Sequence, residues 1–209
     1  EGSWRPRPRV GVEGFVFNGW DTDLDPNHGK SGGARVEFLP GGGTTLGLSG
    51  LYGSEGEQDA TNNRYLLSFD YAVQPSWDWV VAGEANLGGD RGSLPDGSDA
   101  NWGGGMVTVF HRLTRSWGIA ARAEVFRDAD AARTGATQTL ESYSIAPSYS
   151  LGVGREGIFA NVQRTTIRIP RLQLRGEVRV NHSSAAFFET SDQPSDWNIE
   201  YRLQLVTTF

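Results

Sequence analysis

With 209 residues, 37% of them hydrophobic, a mean hydropathy of −0.43 and a formal net charge of −6, the chain has the length of one domain and the bulk polarity of a soluble protein. No apolar run approaches the ~18 residues that a membrane helix needs, and the acidic balance argues against nucleic acid as a partner. The absence of cysteine removes disulfide frameworks and thiolate metal sites. A membrane barrel stays open, because its signal is alternation rather than bulk hydropathy.

Residues 1–8 read as a leader, with Trp4 inside it. The first predicted strand spans 10–20, with Val10, Val12, Gly14 and Val16 on one face. In the second, Ala34, Val36 and Phe38 alternate with Arg35 and Glu37, and Pro40-Gly-Gly-Gly43 stops it with a strong turn signal. Leu46, Leu48, Gly50 and Tyr52 form the next apolar face. Tyr65, Leu67, Phe69, Tyr71 and Val73 then oppose Arg64, Ser68 and Asp70, and Trp79, Val81, Gly83, Ala85 and Leu87 oppose Asp78, Glu84 and Asn86. The sixth run, 102–113, is ambiguous because Gly103-Gly-Gly105 blurs its faces. The seventh sets Trp117, Ile119, Ala121, Ala123 and Val125 against Arg122 and Glu124. The eighth carries Tyr143, Ile145, Pro147, Tyr149 and Leu151, with Pro147 a blemish because proline has no ladder N–H. The ninth is the clearest, with Leu172, Leu174, Gly176, Val178 and Val180 opposing Gln173, Arg175, Glu177, Arg179 and Asn181. The last, 197–209, has Trp197, Ile199, Tyr201, Leu203, Leu205 and Phe209 on one face. Alone it fits a half-buried edge strand equally well. No segment carries a helical period.

About ten strands of about ten residues, an even count, match a transmembrane antiparallel up-and-down β-barrel. The connections support it. Those after strands two, four and six are tight, whereas those after one, three, five, seven and nine are long and acidic, holding Asp21, Asp23, Asp25, Glu55, Glu57, Asp59, Asp90, Asp96, Asp99, Asp128, Asp130, Glu189, Asp192 and Asp196. Short turns on one rim and long polar loops on the other are the asymmetry of outer-membrane barrels, with the carboxy terminus periplasmic. Tryptophans fall at both strand ends: Trp20, Trp102 and Trp197 toward the exterior, Trp77, Trp79 and Trp117 toward the periplasm. Two such girdles suit the headgroup level, whereas a soluble sandwich would bury its tryptophans mid-strand. The connection 152–171 breaks the pattern, being long on the short-turn side. It is expected to be a protrusion, a plug or a docking element.

Several short patterns resemble the OmpL-like β-barrel porins. They are Phe17-Asn-Gly-Trp-Asp21 followed by Gly29-Lys-Ser-Gly-Gly33, Leu46-Gly-Leu-Ser-Gly-Leu-Tyr-Gly53, Ala121-Arg-Ala-Glu-Val-Phe-Arg-Asp128 with Ala132-Arg-Thr-Gly135, and Leu174-Arg-Gly-Glu-Val-Arg-Val-Asn-His-Ser-Ser184. The resemblance spans most of the chain and implies a single outer-membrane barrel domain over 1–209 acting as a passive channel. Family members usually have further strands upstream of the Asn-Gly-Trp-Asp segment, and the 152–171 insertion also departs from the family. The terminal strand, with Tyr201, Leu203, Leu205 and Phe209, resembles the signal by which the outer-membrane assembly machinery recognises its barrel substrates. Partners implied are outer-membrane lipid with lipopolysaccharide, that machinery, and another envelope protein or a second copy of the chain.

The residues expected inside are Arg35, Glu37, Arg64, Asp70, Glu84, Arg122, Glu124, Arg175, Glu177, Arg179, Glu200 and Arg202. The expected pairs are Arg35/Glu37, Arg64/Asp70, Arg122/Glu124, Arg175/Glu177/Arg179 and Glu200/Arg202, with Glu84 alone. Opposite charges two apart on one face would form an ion-pair lattice, either lining a polar channel or filling a narrow lumen. A non-conducting scaffold holding a partner is therefore the alternative to a pore. Asp21-Thr-Asp-Leu-Asp25-Pro-Asn27 resembles an oxygen-ligand cation loop but lacks its glycine turn and distal glutamate, so a solvated acidic loop is expected, with weak Ca²⁺ or lipopolysaccharide-bridging Mg²⁺ as the alternative; no metal site and no cofactor are assigned. His182-Ser-Ser184 resembles the His-x-Ser of a lipid A deacylase barrel without an assigned acidic partner. Catalysis is accordingly not expected, and a lipid hydrolase is the minor alternative. His28 and His111 read as loop and strand surface, and the glycine clusters have no following helix or lysine to bind phosphate.

Overall fold

The alternation is realised as eleven antiparallel strands: β1 (Gly2–Arg7), β2 (Val10–Phe17), β3 (Ser31–Gly41), β4 (Thr44–Ser54), β5 (Asn63–Ser76), β6 (Trp79–Asp90), β7 (Ala100–Arg112), β8 (Trp117–Asp128), β9 (Gln138–Leu151), β10 (Leu172–Ser183) and β11 (Trp197–Thr207). The computed structural model describes residues 2–18, 29–54, 63–151, 172–189 and 193–207, with side chains placed from residue 8 onward. Trp20, the acidic segments 21–27 and 55–59, His28, Asp192, Phe209 and the 152–171 connection lie outside the described residues.

Each strand pairs with its neighbours in sequence, in the order β1 to β11. The ten strands β2–β11 correspond to the ten predicted runs. Residues 2–7, expected to be a leader, instead form the short β1 against β2, with Gly2 opposite Gly14 and Arg7 opposite Val10. A reversal at Pro8 and Arg9 brings it there, and the register shifts between Trp4 and Arg7, around Pro6. An edge strand tolerates proline because one row of its N–H groups faces away from the ladder. Pro147 leaves a similar mark inside the sheet. The β9–β10 ladder passes from Arg175↔Ser148 to Val178↔Ile145, skipping the two positions Gly176/Pro147 and Glu177/Ala146, where Pro147 has no N–H to give.

Register assigns the faces without reference to hydropathy. One continuous row runs Val36–Leu48–Phe69–Ala85–Gly105–Val125 across β3 to β8. The opposite row runs Glu37–Gly47–Asp70–Glu84–Met106–Glu124–Ser142–Asn181–Asn198 across β3 to β11. Among the described strands, every exposed large hydrophobic except Val206 lies on the first, apolar face. A contiguous exposed apolar surface of this extent is not tolerated by a water-soluble monomer.

The tight turns lie on one rim, at Gly42-Gly43, Trp77-Asp78 and 113–116. Gly41, Gly42 and Gly43 all hold φ between 63° and 105°, which only glycine adopts without strain. The long connections 91–99, 129–137 and 184–196 lie on the other rim. The most buried side chains gather there, among them Ser31, Ala100, Trp102, Asp128, Gln138, Asn181 and Ser183. The two edges, β1 and β11, run in the same direction, and no ladder joins them among the described residues. The polar-face residues Arg202 and Gln204 of β11 are exposed, whereas Glu177 and Arg179 of its neighbour β10 are half-buried.

Candidate functional site

The polar face is a wall of charges answered by one another. Arg122 donates to Glu124 at 2.6 Å, Arg179 to Glu177 at 3.1 Å and Arg202 to Glu200 at 2.5 Å, each between residues two apart on one strand, as the sequence suggested. Two other arginines choose different partners. Arg64 binds not Asp70 but Asp90, with both carboxylate oxygens engaged at 2.6 and 2.8 Å. These two residues are directly opposed in the β5–β6 ladder, where side chains lie closer than at a spacing of two along one strand. Asp70 is taken by Arg35, whose side chain crosses β4 and also donates to Ser49 at 3.1 Å.

Glycine makes that crossing possible. Gly47 sits beneath the bridge, and a Cβ built there would collide with the Arg35 guanidinium. Glu84 accepts from Asn86 at 2.8 Å and Ser68 at 3.4 Å, and Arg175 donates to Gln173 at 3.1 Å. Asn181 links three strands by donating to Glu200 at 2.9 Å and accepting from Ser142 at 2.6 Å. All the pairs are partly exposed, so each contributes only about 0.2–1 kcal/mol. Their chemical capacity is a polar, charge-balanced surface.

On the apolar face, Trp79, Trp117 and Trp197 lie at strand ends, as the girdle reading required, and Trp77 lies in the turn before β6. Each of the three meets a cross-strand ring: Trp79 stacks on His111 at 4.0 Å, whereas Trp117 on Tyr149 at 4.8 Å and Trp197 on His182 at 4.5 Å are tilted. His111 also places Nδ1 3.2 Å from the Asp78 carbonyl.

Trp102 does not join the girdle. It faces the polar side and is 7% exposed, between Gly88 and Asp128 in the ladder. Its indole lies flat over Gly88, where any Cβ would strike it, with Arg64 5.9 Å and Arg133 5.3 Å from the ring centroid. The run Gly103-Gly-Gly105 hid this facing, because glycine carries no face information.

His182 and Ser184 do not form a base–nucleophile pair. His182 lies on the apolar face 3.5 Å from Glu141, and Ser184 Oγ accepts the Thr139 N–H at 2.9 Å. Ser183 turns the other way and donates to Gln138 at 2.6 Å. Among the described residues, no group of three or more His, Cys, Asp or Glu is placed to hold a metal ion.

The loop rim holds a second site that sequence reasoning passed over. Asp128, placed by the sequence in a long acidic connection, has no exposed surface. Its carboxylate accepts the N–H groups of Ala132, Arg133 and Thr134 at 3.0, 2.9 and 2.7 Å and the Thr134 hydroxyl at 2.9 Å. Gln138 donates to Thr134 at 2.8 Å and accepts from Ser183. The only advance signal was Asp128 six residues before a threonine and ten before a glutamine. Neighbouring acids also act as caps. Asp130 accepts the Asn101 N–H at 2.8 Å and Asp99 the Gly92 N–H at 2.9 Å. Asp96 is held below the usual carboxylate range by the hydroxyl and amide of Ser98.

The whole chain, residues 1–209, matches the family described as "Putative beta-barrel porin-2, OmpL-like". No curated protein matches it. The chain belongs to this family of β-barrel porins, and its strands follow an antiparallel up-and-down order.

Proposed function

We propose that the chain forms a passive outer-membrane channel in which small hydrophilic solutes or ions diffuse along the charged wall. One observation carries this reading: the two faces of a single sheet carry opposite chemistry. Exposed Leu, Val, Ile and aromatic side chains cover one face, and guanidinium–carboxylate pairs cover the other. Such a sheet suits hydrocarbon outside and water inside. In this reading the loop rim faces the exterior and the carboxy terminus the periplasm. Lipopolysaccharide and the assembly machinery are the expected partners. Tyr201 and Leu203, both 76% exposed on the outermost strand, would present the assembly signal.

A non-conducting scaffold is favoured by a different observation. The Arg122–Glu124, Glu177–Arg179 and Glu200–Arg202 pairs satisfy one another, as they would in a filled lumen. Planar-bilayer recording separates the two. A channel gives steady current steps whose ion preference changes in Arg122→Gln and Arg175→Gln. Silence from fully folded protein that co-purifies with a partner supports the scaffold instead.

A further inference from the structure

The apolar face has one charged corner. Along β2–β11, the strand positions on that face hold two charged side chains, Arg127 and Glu141, and two histidines, His111 and His182. Three of these four lie side by side at the loop-rim ends of β8, β9 and β10. Register carries the apolar row that ends at Val125 onward into Glu141, His182 and Trp197. Arg127 stands one row nearer the loops, between Gly103 and Thr139 and diagonal to Glu141. Diagonal neighbours on one face lie about 7–8 Å apart, within reach of long side chains.

Tolerance of charge near the rim does not account for this corner. An ionised side chain facing hydrocarbon is costly at mid-bilayer and cheaper at the headgroup level, where tryptophans such as Trp197 collect. Yet the same end of β2 to β7 presents Val16, Gly32, Tyr52, Tyr65, Leu87 and Asn101 on that face, all uncharged. The charges are gathered, not scattered. His182 Nδ1 lies 3.5 Å from the Glu141 carboxylate, and its ring meets the exposed Trp197 indole at 4.5 Å. Arg127 is exposed and forms no ion pair among the described residues. Of the acids that follow it, Asp128 is buried with its own amides and Asp130 accepts the Asn101 N–H. The corner therefore offers a forked cation, a carboxylate–imidazole pair and an indole face.

We propose that this corner binds the headgroup of a phosphorylated glycolipid of the outer leaflet, with the chemistry of lipid A. Arg127 takes a phosphate through its planar fork, Glu141 and His182 hydrogen-bond sugar hydroxyls, and Trp197 lies against the sugar. The site rests on the outer-membrane reading and adds to it the place where the lipid sits.

Native mass spectrometry of protein released from phosphatidylcholine nanodiscs tests it. The discs hold equal small amounts of lipid A and phosphatidylglycerol, with EDTA present to remove bridging cations. Wild type retains lipid A in excess over phosphatidylglycerol. Arg127→Gln lowers bound lipid A at least about tenfold, as expected for losing a charge-assisted contact. Arg127→Lys, which keeps the charge without the fork, falls between and serves if Arg127→Gln fails to fold. Glu141→Gln gives a smaller loss, and Arg122→Gln, on the opposite face, behaves as wild type. Undiminished lipid A on Arg127→Gln, or equal retention of the two lipids by wild type, overturns the site. A wild-type dimer that Arg127→Gln splits makes the corner a contact between copies and overturns it too. A chain that stays monomeric in water without detergent sinks the outer-membrane reading itself, whereas a folded, disc-embedded protein without lipid A preference sinks the site alone.

Discussion

The loop rim and the middle of the polar wall use the same residue types for different physical ends. In the wall, Arg122–Glu124 and Glu200–Arg202 are one-to-one contacts between half-exposed side chains, and water can replace either partner. At the rim, Asp128 is sealed from solvent and bonded to three amides and a hydroxyl, so nothing replaces it. The difference teaches that burial and partner number decide what a carboxylate does; its place in an acidic-looking segment does not. Wall charges are exchangeable, whereas the rim carboxylate is a fastening.

Substitutions can break or sharpen this contrast. The largest expected effect is at the rim. Asp128→Ala strands three amides and should cost about 2–4 kcal/mol in denaturant unfolding of the lipid-embedded protein. A loss below that of the wall variants would erase the distinction. Next comes Gly47→Leu, which puts a side chain where the Arg35 bridge crosses β4. Overpacking there should cost about 1–3 kcal/mol, and adding Arg35→Ala should recover part of it. Ala131→Gly should stabilise by about 0.5–1 kcal/mol, because glycine accepts the left-handed conformation that alanine holds at φ of 60°. The smallest effect is expected at the wall, where Arg122→Gln should change stability by less than about 1 kcal/mol while altering ion preference.

The strands and their faces were legible in the sequence, because a period of two with bulky apolar residues on one side leaves little choice of facing. Leu172, Leu174 and Val178 against Gln173, Arg175 and Glu177 fix β10 outright. Partner choice was not legible. Whether Arg64 meets Asp70 or Asp90 depends on the β5–β6 register, which no local pattern encodes. Trp102 was misread because the three glycines after it carry no facing signal, and only its pairing with Gly88 and Asp128 turns it inward. Residues 2–7, read as leader, form an edge strand, a position that accommodates Pro6. Asp128 was counted with the acidic connections because its donors are backbone amides, which leave no trace in side-chain composition.

The central claim is that the two faces of each strand meet different solvents. The natural absence of cysteine makes β8 a clean place to test it. Single cysteines at 120–125 in liposome-embedded protein should react with a small charged thiol reagent at Ala120, Arg122 and Glu124. They should be shielded at Ala121, Ala123 and Val125, whose nearest quencher would be brominated lipid. Equal reactivity at odd and even positions, or reactivity confined to the odd ones, would contradict the account.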